Sequence, residues 1–178
     1  MPKETVRSRL LRAAEELTHV NGAGNMSLDA VAARAGVSKG GLLYHFPTKA
    51  KLLEALVERF IEQFEAELAA RIGTGSSQSG NVGAAVVEMF VQERSFGRPP
   101  PSGLLAALAE NPEFIEPIRK QHTALLERIQ SSARDRTDAT IAYLALQGIR
   151  SNALFDFQHL PETIFDDVVA RLRQMVRD

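Results

Sequence analysis

Apolar residues near the start of the chain recur at helical spacing: Val6, Leu10, Leu11, Ala14, Leu17 and Val20 share one face, and Arg7, Arg9 and Arg12 fall off it. The pattern predicts a helix from Lys3 to about Val20, closed by Asn21-Gly22, residue types that tolerate left-handed backbone. Ser27 is an N-cap for a short second helix with Leu28, Val31, Ala32 and Ala35 on one face. Asp29 suits the positive end of its dipole, and Gly36 stops it. Ser38 then offers another N-cap. The helix it opens ends near Phe46, because Pro47 disfavours helical geometry in the residue before it. Two short helices joined by a glycine-containing turn outline a helix-turn-helix.

Beyond this point the helices lengthen. Thr48 caps a fourth helix that carries Leu52, Leu53, Leu56, Val57, Phe60, Ile61, Phe64 and Leu68 to about Ile72, roughly 36 Å at 1.5 Å per residue. The Gly/Ser-rich stretch from Gly73 to Asn81 reads as a flexible connection. A helix follows from Val82 to Phe96, and a short apolar one starts at Ser102 or Gly103 and runs through Glu110. Asn111-Pro112 opens another that runs to about Ala133, with a kink or restart expected at Pro117. The segment from Thr137 to about Gln158 is apolar almost all round, which implies cover on more than one side. Pro161 begins a last helix striped with Phe165, Val168, Val169, Leu172, Met175 and Val176. If one copy of the chain cannot cover these last two helices, a second copy does, in an isologous bundle. No strand pair or internal repeat is visible, so the fold class is all-α.

With 44% hydrophobic and 24% charged residues, the composition is that of a globular protein. No apolar run reaches membrane-spanning length and the charged amino terminus lacks the apolar core of a secretory signal, so the expected setting is cytoplasmic, away from membranes. The absence of cysteine excludes disulfides, thiolate metal sites and a cysteine nucleophile. The net charge of −1 hides an asymmetry: residues 1–51 hold eight Lys and Arg against four Asp and Glu, whereas the remainder is acidic by five. A basic segment of this kind points toward a polyanion.

Gly40 and Gly41 together forfeit about 2 kcal/mol of helix propensity. Lacking Cβ atoms, they let the main chain approach a phosphate or base edge, and an amino-terminal helix turn offers unpaired N–H groups to an anion. In a helix-turn-helix the second helix enters the major groove by this end. Ser38, Lys39, Gly40 and Gly41 then face the bases, with Tyr44, His45 and Lys49 as phosphate donors at the exit and Leu42 and Phe46 turned inward.

The stretch SLDAVAARAGVSKGGLLYHFPTKAKLLEALV, Ser27 to Val57, resembles the amino-terminal domain of TetR-family transcriptional regulators, and the match extends over roughly residues 5 to 60. The resemblance implies a homodimeric repressor that binds a palindromic operator in double-stranded DNA and releases it when a small apolar effector binds. Residues 1–47 would be the DNA-binding domain, a three-helix helix-turn-helix unit. Residues 48–178 would be a helical bundle for ligand binding and dimerisation, with the two copies meeting through the last two helices. Carried over by position, Ser27, Lys39, Tyr44, His45 and Lys49 would hold phosphates. Leu43 stands where the family commonly has the first aromatic of a pair, and Gly41 where Thr, Ser or Ala is usual, so the operator sequence does not carry over. An adaptor with the same fold, acting through protein contacts, is the alternative.

Catalysis finds little support. Glu16-x-x-His19 has the spacing of a di-iron ligand pair but lacks a second copy. His19, His45, His122 and His159 are scattered, with no HExxH, GxSxG or Walker loop, and neither metal nor cofactor is expected. For the effector, the expected apolar walls include Phe60, Phe64, Met89, Phe90, Leu105 and Leu108, with Gln92, Arg119 and His122 as polar anchors.

Overall fold

Side-chain caps set most of the helix boundaries. In the computed structural model, which describes residues 4–21, 26–74, 81–95, 111–154 and 160–177, α1 spans Val6–Asn21, and Thr5 Oγ1 accepts from the Ser8 N–H at 3.1 Å. Ser27 caps α2 (Leu28–Ala35) by accepting from Ala30, and Ser38 caps α3 (Lys39–His45) by accepting from Gly41. Between them Gly36 takes φ +65°, and its N–H bonds back to α2 carbonyls. That left-handed turn sets the angle between the two short helices, and a Cβ there would be strained. Thr48 Oγ1 accepts from Lys51 N at the start of α4 (Lys49–Thr74).

The later helices are α5 (Val82–Ser95), α6 (Ile115–Ser132), α7 (Arg136–Leu154) and α8 (Glu162–Met175), with one turn of 3-10 helix, Pro112–Phe114, before α6. No strand occurs among the described residues. Asn111 caps the 3-10 turn with Pro112 at its first position. Of the kink or restart expected at Pro117, a restart is seen: after the 3-10 turn, α6 starts at Ile115. Proline there sits in the first turn, where its missing N–H has no intrahelical partner to lose. The helix expected between Ser102 and Glu110 lies outside the described residues.

The chain forms two compact units, one within Met1–Glu62 and Pro101–Arg119, the other within Gln63–Pro100 and Lys120–Asp178. The core of the first gathers Leu10, Leu11, Val31, Leu42, Phe46, Leu52 and Leu53 from four helices. It continues past position 47 because Leu56 and Val57 of α4 belong to it. The second core joins Leu68, Val86, Val87, Ile129, Leu146, Phe165, Val169 and Leu172. There the buried Asn81 caps α5 through Ala84 N and donates from its amide to the Val176 carbonyl, fastening the end of α8. Arg173 forks onto both Glu88 oxygens at 2.7 and 2.9 Å, so that this carboxyl titrates below the usual range.

Candidate nucleic-acid interface

The recognition candidate α3 is only seven residues long, too short to be stable alone. Leu42 and Phe46, both nearly inaccessible, anchor it in the first core. Their burial fixes which face is left outside. Lys39, Gly40, Leu43 and Tyr44 are exposed, Tyr44 at 85%, while Gly41 and His45 are half-buried. The His45 ring stands edge-on to Tyr44, with centroids 5.2 Å apart. Lys49, half-buried, begins α4 just beyond.

The two glycines have different reasons. A Cβ on Gly40 would meet nothing within 4 Å, so nothing in the chain itself requires glycine there. A Cβ on Gly41 would come to 2.8 Å from Val37 Cγ1 and 3.3 Å from Ser38 Oγ. For Gly41, therefore, the turn itself supplies a reason, and approach by another molecule is not needed to explain it.

The capping serines keep their hydroxyl protons available. Ser27 Oγ and Ser38 Oγ each accept an N–H at 3.1 Å, which leaves the O–H free to donate to a phosphate or base. Lys39 Nζ bonds both oxygens of Asp29, at 2.9 and 3.1 Å. This pairing across the turn appears in the sequence only as a separation of ten residues. Also invisible there is Arg7, whose guanidinium carbon lies over the Phe46 ring, 5.5 Å from its centroid.

The residues expected to line an effector site divide between the units. Phe60 and Arg119 belong to the first, and Arg119 pairs with Glu116 on its own helix. Phe64, Met89, Phe90, Gln92 and His122 belong to the second. Leu105 and Leu108 lie outside the described residues. Met89 and Phe90 are buried in the second core, and Gln92 accepts a hydrogen bond from Arg71. A gap in that core lined by Gly83, Val86, Ile129, Ala142 and Tyr143 is too small to hold a water molecule.

His122 of α6 faces the Tyr143 hydroxyl and Gln147 amide of α7 through Nδ1, at 2.6 and 2.8 Å. Gln147 also donates to the Tyr143 oxygen at 2.9 Å. The Gln147 amide nitrogen can only donate, so Nδ1 accepts and the ring proton belongs on Nε2. Although much of His122 is accessible, desolvation on this edge and then the charge of Arg150 push its pKa down. Arg150 itself pairs with Glu93 at 2.9 Å and lies over Phe90. Among the described residues no cluster of side chains suits a metal ion, and no helix is long and apolar enough to cross a membrane.

A helical chain that presents a short, capped second helix from a helix-turn-helix has the form of DNA-binding transcriptional regulators. Residues 10–56 match the family described as bacterial regulatory proteins, tetR family, and residues 80–177 match the tetracyclin repressor-like C-terminal domain. The chain belongs to the TetR family of transcriptional regulators. It is similar to the nucleoid occlusion factor SlmA of Vibrio cholerae serotype O1, 28% identical over 192 residues that cover 96% of this chain and 95% of that protein. A crystal structure of a transcriptional regulator from Rhodococcus sp. RHA1 superposes with a TM-score of 0.71 at 19% identity, over 97% of this chain and 94% of that one. AibR, solved in complex with isovaleryl coenzyme A and operator DNA, superposes with a TM-score of 0.65 at 21% identity, over 93% and 97% of the two chains.

Proposed function

We propose that this regulator is a homodimeric repressor that holds a palindromic operator through α3 and releases it when a small apolar molecule binds the second unit. The observation that carries the reading is the outer face of α3, where the fully open Gly40 and the 85%-exposed Tyr44 flank Lys39 on a helix pinned from behind by Leu42. Ser27, Ser38, Lys39, Gly40, Gly41, Tyr44, His45 and Lys49 form the DNA contact set, with residues 1–47 as the functional domain. The complex of AibR with operator DNA and an acyl coenzyme A supports a ligand-coupled mode of action in this fold.

Dimerisation is supported by the outer face of α7, where Ile141 and Leu144 are exposed, and by exposed Ile164 on α8. A symmetric pairing through these helices sets the spacing of the two α3 helices, which need about 34–36 Å to enter successive major grooves. An effector that fits only a dimer of different spacing draws the population off DNA, with a coupling of about 1–3 kcal/mol. His122, whose Nδ1 meets Tyr143 and Gln147, is the polar anchor for that effector.

Duplex binding measured against salt concentration tests the reading. A steep linear fall of log affinity with log salt is expected. Binding that ignores salt, or no binding to any duplex, overturns it in favour of the adaptor that acts through protein contacts.

A further inference from the structure

We infer that the groove between α1 and α2 is a binding site for the phosphate group of a small phosphorylated molecule, held by Arg9 together with Arg34 and Arg12. The site is separate from the outer face of α3, and it does not depend on the DNA-binding reading. The groove has a volume of about 310 Å3 and is lined by Arg9, Arg12, Ala13 and Glu16 of α1 and by Arg34 and Ala35 of α2. That volume lies at the lower end of the range in which small-molecule sites fall. The four α1 residues stand at i, i+3, i+4 and i+7, so a single face of that helix supplies one wall. The two alanines leave room between the charged side chains.

Charge accounting sets the groove apart from an ordinary ion-paired surface. Its charged walls, three arginines and one glutamate, carry a net +2. A phosphate monoester, with about −1.5 to −2 near neutral pH, matches that charge. Arg34 sends both Nε and Nη2 to one Glu16 oxygen, at 2.7 and 2.6 Å, and Arg12 reaches Glu4 through Nη1 at 3.1 Å. Each keeps more than half of its side chain accessible, so donors remain for a ligand. The Arg9 guanidinium has no hydrogen bond or ion pair among the described residues, and its Nε is closed to solvent as well. A buried donor without an acceptor bears its desolvation cost uncompensated. A phosphate seated between Arg9 and Arg34 supplies acceptor oxygens in the geometry that a guanidinium fork matches.

Two positions place the groove away from α3. Arg34 lies about 140° round α2 from Asp29, the residue that meets Lys39. Arg9 lies about 160° round α1 from Arg7, which rests on Phe46 at the end of α3. An occupant would tie the last turn of α2, directly before the Gly36 turn, to α1, which gives a phosphorylated molecule a hold on the helix-turn-helix from behind.

The test titrates inorganic phosphate into the full chain, with acetate as a monoanion control, and follows the arginine Nε–H resonances by NMR. Saturable shifts of the Arg9 and Arg34 signals are expected with phosphate, and much weaker ones with acetate. Arg9→Gln should lower phosphate affinity about tenfold or more, the scale of a lost charge-assisted contact, and a melting curve checks that it folds. Should that variant unfold, Arg34→Gln, altered at a more exposed site, decides by the same criterion. No saturable shift, an equal response to acetate, or wild-type affinity in a folded variant overturns the inference. A final arm repeats the titration with excess mixed-sequence DNA duplex. Unchanged phosphate affinity is expected there, and displacement of phosphate by the duplex overturns a separate site. A chain that binds phosphate but no duplex fails the DNA reading alone, so the two failures are distinguishable.

Discussion

The two compact units present different kinds of surface. On the first, the large exposed side chains of α3 are an aromatic with a hydroxyl and a leucine, set among glycine, lysine and serine. On the second they are aliphatic, Ile141 and Leu144 on α7 and Ile164 on α8. Hydroxyls, cations and bare main chain suit a charged partner that stays hydrated, whereas exposed branched aliphatic residues suit a partner that excludes water. On the proposed function, the first face meets a polyanion and the second meets another copy of the chain.

The aliphatic face offers the largest effect. Leu144→Asp should convert a dimer to a monomer in sedimentation equilibrium, costing on the order of 4 kcal/mol because symmetry buries the charge twice. Thermal unfolding of the monomer should change little in comparison, since Leu144 is 59% exposed within one chain. A variant that remains dimeric would end the contrast between the units. Next in size, Lys39→Ala combined with His45→Ala should weaken duplex binding about a hundredfold, on the scale of 1–3 kcal/mol per lost contact, with oligomeric state unaltered.

A finer test separates the adjacent glycines. Gly40→Ala should raise stability by about 1 kcal/mol through helix propensity alone, and weaken DNA binding if the main chain approaches the duplex there. Gly41→Ala should gain less stability because Val37 has to move. Equal gains, with binding unaffected in both variants, would remove close approach as the role of either.

The smallest effect belongs to the second unit and depends on pH. Burial lowers the His122 pKa in the folded protein, so between that value and about 6.5 the unfolded chain binds more protons. Stability should therefore be complete above about pH 6.5 and decline as pH falls through the folded value. His122→Gln should flatten this part of a pH series of melting temperatures, and a profile identical to wild type would show that burial does not lower the His122 pKa.

How much of this was legible in the sequence depended on range. Ser27, Ser38, Thr48 and Asn111 announce helix starts because a cap bonds to an N–H two or three residues away. The family resemblance likewise lies within a short local stretch. Pro117 left a kink and a restart both open because its effect depends on where the helix begins, and the 3-10 turn before Ile115 puts that start within its reach. Lys39 reads as free until α2 and α3 fold against each other and bring Asp29 to it. The proposed effector walls were least legible, since phenylalanine and leucine at helical spacing mark a filled core as readily as a cavity. Met89 and Phe90 are in the filled core.

The pairing of Lys39 with Asp29 makes the ammonium a guarded donor. Any phosphate that reaches it competes with a carboxylate tethered to the same helix-turn-helix, always present at a fixed local concentration. If Lys39 holds a phosphate as proposed, every duplex gains less from this lysine than its charge alone would give, by the small worth of an exposed ion pair.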